Sequence, residues 1–132
     1  MILAIQTADA TTHLALYDPA NPTEPKSAIS WESGRQLADQ LLGRIDELLA
    51  GQPELERALT GIVIFSGPGS FTSLRIGHTV ANALADSLSI PISGAAGDEW
   101  TQNAIGSLES TPVGHFAMPY YGAEANVTMP KP

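Results

Sequence analysis

Residues 61–66, Gly-Ile-Val-Ile-Phe-Ser, form a short β-branched run that is apolar without interruption. Alternation is missing, as expected of a strand covered on both faces rather than one. Gly67-Pro68-Gly69-Ser70-Phe71-Thr72 follows at once and opens a helical stretch from about Thr72 to Leu88. A buried strand feeding a helix through a glycine turn commits this chain to an α/β fold.

The flanking segments supply the rest of the sheet. Residues 2–7 and 13–18 are apolar runs separated by small polar residues, which reads as a hairpin. Asp18 to Pro25 carries three prolines and an asparagine and is a loop. Residues 27–32 alternate weakly, with Ala28 or Ile29 and Trp31 as candidates for one face. Three consecutive short strands predict an antiparallel meander. In residues 35–50, Leu37, Leu41, Ile45 and Leu48 recur at helical spacing, so this segment is an amphipathic helix. Ser33 and Gln36 fit a capping box before it, and Gly51 and Pro53 stop it. Gly43 in its middle costs about 1 kcal/mol against alanine, which suggests a close contact there. Residues 90–93 suit an edge strand because Pro91 cannot donate to a ladder. A helix is expected near Asp98–Leu108, with Asp98 and Glu99 in its first turn. Residues 1–110 read as one α/β lobe, and residues 111–132, with four prolines and no periodicity, as an extended or irregular tail.

The 132 residues carry six Lys and Arg against fourteen Asp and Glu, a net charge of -8. That balance opposes direct contact with nucleic acid, which needs clustered cations at the phosphates. Lys131 is the single Lys or Arg after Arg75. There is no cysteine, so neither a disulfide framework nor a cysteine zinc site is possible. No basic leader opens the chain and no run approaches eighteen apolar residues, so the expectation is a cytoplasmic domain without a membrane partner.

Chemistry-bearing patterns are few. The Gly67–Thr72 turn points free N–H groups along a helix axis, so Gly67, Gly69, Ser70 and Thr72 form either an anion or nucleotide site or a tight turn capped by Ser70 or Thr72. No Gly-Lys-Ser/Thr follows, which rules out a Walker A loop. Ser73, Gly77, Ala81 and Ala85 make a stripe of small residues along the helix, with Leu74, Val80, Leu84 and Leu88 beside it. Such a stripe lets a neighbouring element approach closely, either the sheet or a second subunit. His13, His78 and His115 lack metal-ligand spacing, so no metal is expected. No nucleophile elbow or paired carboxylate is present, and no catalytic residue is assigned.

MILAIQTADATTHLALYD followed by IVIFSGPGSFTSLRIGHTVANALADSLSIPI closely resembles the amino-terminal half of the TsaB (YeaZ) family over about residues 1–105. The resemblance implies an actin-like, ribonuclease-H-like single lobe, with a mixed sheet opened by an antiparallel meander and helices packed on it. It further implies a part in making threonylcarbamoyladenosine in tRNA. In that family TsaB is a non-catalytic relative of the TsaD transferase, which it binds and supports, with a TsaE-like ATPase joining the complex and tRNA met only indirectly.

Gln6 stands where the family usually has Asp, and an amide cannot carry the charge that places metal and water at a phosphate. Ser73 replaces a usual Gly, one small residue for another. Residues 118–132 resemble the extreme carboxyl end of such proteins, so the expectation is a short form without the second lobe. The partner face is expected at Leu37, Leu41 and Ile45 of the first helix and Ser73, Leu74, Gly77, His78, Ala81, Leu84 and Ala85 of the second. Its occupant is a TsaD-like subunit, or a second copy of the chain. The alternative reading is a stand-alone nucleotide- or anion-binding domain; no cofactor is assigned.

Overall fold

A computed structural model describes residues 1–121. Five strands form one mixed sheet in the order β3-β2-β1-β4-β5: β1 Ile2–Gln6, β2 Thr11–Tyr17, β3 Ser27–Glu32, β4 Gly61–Phe65 and β5 Ile92–Ala95. β1, β2 and β3 are the expected antiparallel meander, while β1–β4 and β4–β5 pair in parallel. The uninterrupted apolar β4 lies one strand in from the edge, with Ile62, Val63 and Ile64 fully buried. The edge strand after Pro91 begins two residues later than residues 90–93 suggested. In β3 the inward positions are Ser27, Ile29 and Trp31, which places Ile29 rather than Ala28 on the core side.

Two helices cover one face. Helix α1, Leu37–Ala50, buries Leu37, Leu41, Ile45 and Leu48, and α2, Phe71–Leu88, lies beside it. Against them the sheet presents Leu3, Ile5, Leu14, Leu16, Ile62, Ile64 and Ile92. Trp31 ties β3 to α1, its indole N–H donating to Gln40 at 2.9 Å while the Arg44 guanidinium sits 4.9 Å from the ring centre. The short α3, Trp100–Ser107, covers part of the other face over Ile2, Ala4 and Val63.

Local expectations need four corrections. Ser33 does not cap α1: a 3-10 turn, Gly34–Gln36, intervenes, and the Ser33 hydroxyl is taken by Thr12 Oγ1 at 2.7 Å and the Ala10 carbonyl at 3.3 Å. Gly43 marks no close contact, since a Cβ there would meet open space. Helix α2 starts one residue before Thr72 with Ser70 as its cap. Asp98 and Glu99 precede α3 rather than entering its first turn.

The start of the expected tail folds back onto the lobe. Ala117 joins the main core, and Asn82 of α2 pairs with both of its backbone groups: Nδ2 donates to the Ala117 carbonyl and the Ala117 N–H donates to Oδ1, each at 2.9 Å. The Tyr120 N–H donates to the Ser66 carbonyl at 2.7 Å, and the Tyr121 ring packs on Phe71 with centroids 4.5 Å apart. The rest of that tail, from residue 122, lies outside the described residues.

Candidate functional site

Polar groups converge where β1, β4 and α2 meet. The first strand ends at Gln6, whose Oε1 accepts from the Ala8 N–H at 3.2 Å, and the buried Thr7 hydroxyl donates to the Ser73 carbonyl at 2.8 Å. A β-carbon on Gly77 would collide with the Thr7 side chain, so glycine is what lets α2 cross the end of β1 so closely. Gly69 lies equally close to Ala8.

The glycine turn is closed on itself. The Ser70 N–H donates to the Ala8 carbonyl at 2.7 Å, and the Ser70 hydroxyl accepts from the Ser73 N–H at 3.4 Å. Gly67, at φ 121°, lies in the left-handed region and directly under the Tyr120 carbonyl. Two N–H groups near the helix start are therefore already spent, and residue 120 covers one side of the turn. Gly67 is buried, while Gly69, Ser70 and Thr72 remain at the surface. Among the described residues no three His, Asp or Glu side chains gather as a metal set.

The expected partner face is corrected in most of its residues. Leu37, Leu41, Ile45, Leu74, Gly77, His78, Ala81 and Ala85 are all buried within the chain's own fold. The small stripe does permit a close approach, but the neighbour is the sheet: Gly77 meets Thr7, and Ala81 and Ala85 join the strand-lined core. Ser73 is half-buried and offers its carbonyl to Thr7. Leu84 borders an open surface, a groove of about 390 Å³ between α1 and α2, lined by Leu42, Thr79, Val80, Ala83, Leu84 and Ser87. Leu42 is 54% exposed and Leu88, at the end of α2, 47%. This outward face escaped sequence reasoning because Thr79, Ala83 and Ser87 look like an ordinary wet side.

His78 occupies an unusual setting. It is 3% exposed, and its Nδ1–H donates to the Leu74 carbonyl at 2.8 Å. That bond fixes the tautomer and leaves buried Nε2 as an acceptor with no partner among the described residues. Burial holds the imidazole below its ordinary pKa, with the Leu74 hydrogen bond opposing this in part.

The five-stranded mixed sheet with its closed glycine turn defines an actin-like, ribonuclease-H-like α/β lobe. The sequence model of the family described as "TsaD: tRNA N6-adenosine threonylcarbamoyltransferase" matches residues 31–97, half of the chain. A Bacillus subtilis (strain 168) relative, "tRNA threonylcarbamoyladenosine biosynthesis protein TsaB", is 54% identical over 52 residues, 39% of this chain and 18% of that protein. YeaZ from Pseudomonas aeruginosa superposes with a TM-score of 0.61 at 28% identity, covering 72% of this chain and 43% of that one. A second Pseudomonas aeruginosa structure, described as an uncharacterized protein with similarity to peptidase YEAZ, gives the same score and identity over 42% of its length. The chain belongs to the family that this sequence model describes, and it is similar to TsaB and YeaZ proteins. It spans less than half the length of each of these relatives.

Among the described residues no helix is long and apolar enough to cross a membrane.

Proposed function

We propose that the chain acts in tRNA threonylcarbamoyladenosine biosynthesis as a non-catalytic subunit that binds a TsaD-like transferase through the outward groove between α1 and α2. The observation that carries this reading is the groove itself: Leu42, Val80, Ala83 and Leu84 form an apolar surface on paired helices that none of the described residues covers. Contiguous apolar surface of that kind is a liability unless a partner buries it. Gln6 supports the non-catalytic part. It is uncharged at the strand end where the family's resemblance expects a carboxylate, and its oxygen is bound by Ala8. The acidic chain, at net charge -8, leaves tRNA to the partner.

The test is titration of the chain against a TsaD-like transferase, for the unmodified protein and for Ala83→Arg and Leu84→Asp. Both variants put charge into the groove, and binding should weaken by at least a hundredfold while far-ultraviolet circular dichroism stays unchanged. Equal affinities from folded variants would remove the groove from the interface. Self-association that competes with the transferase and fails in the same variants would show that a second copy uses the same face.

A further inference from the structure

We propose that residues 115–121 form a pH-sensitive strap, latched onto α2 by Asn82 and released when the His78 imidazole beneath it takes up a second proton. The strap is an edge-on segment held at few points. Asn82 pairs with both backbone groups of Ala117, Tyr120 donates to Ser66, and Tyr121 stacks on Phe71. Its other large side chains are largely exposed, Phe116 at 54% and Met118, on the rim of the cleft described next, at 75%. A cleft of about 240 Å³ runs between strap and helix, bordered by Arg75, His78, Asn82, Ala117, Pro119 and Tyr121.

His78 lies one helical turn before Asn82 and borders the same cleft, buried and with Nε2 unpartnered among the described residues. A proton on Nε2 creates a buried donor and a buried charge together, each costly without a partner. Among the described residues nothing packed nearby offers a countercharge. Helix α2 brings Arg75 to the cleft and carries its one carboxylate, Asp86, two turns further on, exposed. β1, β4 and β5 contain no titratable side chain, and the strap contributes His115, Tyr120 and Tyr121. The α1 carboxylates Asp39, Asp46 and Glu47 are all exposed. Lifting the strap hydrates the imidazole and lets it ionise freely, so acid favours the open state. Opening also uncovers the Ser66 carbonyl and the Gly67 backbone that residue 120 covers.

Linkage sets the size. With an open-state imidazole titrating near 6.5 and a closed state that resists protonation, the open population rises about tenfold between pH 7.5 and 5.5. The experiment is residue-resolved amide hydrogen exchange on the full chain, corrected for the intrinsic pH dependence of exchange. Protection of the Ala117 and Tyr120 amides should fall about tenfold over that range, while Ile64 in β4 keeps its protection. His78→Gln, which can still donate to Leu74, should abolish the fall; His115→Gln should preserve it, and Asn82→Ala should lower protection at both pH values. Unchanged protection in the unmodified chain, an equal loss at Ile64, or a fall that persists in His78→Gln would overturn the proposal. Should His78→Gln not fold, ring-proton titration of the unmodified chain and of Asn82→Ala decides: a His78 midpoint that rises when the latch is removed supports the proposal, and one that stays unchanged sinks it.

Discussion

Gly77 is pressed against Thr7 across seventy residues of sequence, with no room for a β-carbon between helix and strand. Thr7 cannot yield easily, because its hydroxyl is fixed on the Ser73 carbonyl one turn earlier in the same helix. Gly77→Ala should therefore cost about 2 kcal/mol net of the helix propensity gained, within the usual penalty for overpacking. Gly43→Ala, exposed on α1 with open space around it, should stabilise by up to about 1 kcal/mol. Opposite signs from the same substitution, read by chemical denaturation, are the expected result; two shifts of one sign would contradict the packing described.

Two neighbouring alanines separate core from surface. Ala81 is fully buried, whereas Ala83 is exposed on the groove. Ala81→Arg buries an unpaired cation and should cost several kcal/mol, enough to abolish folding of a marginally stable domain. Ala83→Arg should leave the melting temperature within a few degrees of the unmodified chain. Circular dichroism melts of the pair decide it, and a well-folded Ala81→Arg would reverse the orientation of α2.

Helix α2 ends at Ser89, which adopts φ 55° and ψ 47° while its N–H and that of Ile90 close the last turn onto Asp86 and Ala85. Left-handed backbone costs a non-glycine residue about 1 kcal/mol. Ser89→Gly should thus raise stability by roughly that amount, seen as a higher denaturation midpoint with unchanged slope.

Stability should also fall in mild acid. Burial lowers the folded-state pKa of His78 below the unfolded value near 6.5, so the unfolded chain binds the proton more readily. The contribution is complete above about pH 6.5 and is lost as pH falls through the lowered folded value, by at most about 1.4 kcal/mol per pH unit. Denaturation midpoints at pH 7.5 and 5.5 should differ in the unmodified chain and draw together in His78→Leu.

Periodicity and composition made the meander, the apolar β4 and the inward face of α1 readable, because each is a local pattern imposed by burial. The meaning of the Ser73–Ala85 stripe was not readable in the same way. Small residues signal close approach without naming the neighbour, and Thr7 is brought to Gly77 only by the β1–β4 pairing. Ser33 failed as a cap for a related reason: its hydroxyl had a better offer from Thr12 on β2. Asn82 was not singled out at all. Its signal was a half-buried polar residue one turn beyond His78, and its partner lies thirty-five residues downstream.

The pairing of β1 with β4 carries a consequence for synthesis. Ile2 aligns with Gly61 and Ile5 with Ile64, so β1 waits during synthesis for a partner made about sixty residues after it. β2 and β3 can zip onto one side of β1 by local hairpin contacts, but its other side stays an open apolar edge until β4 arrives. Such long-range parallel pairing slows folding and exposes unpaired strand to association with other chains. Yield on expression should therefore depend on how quickly residues 61–65 follow the meander.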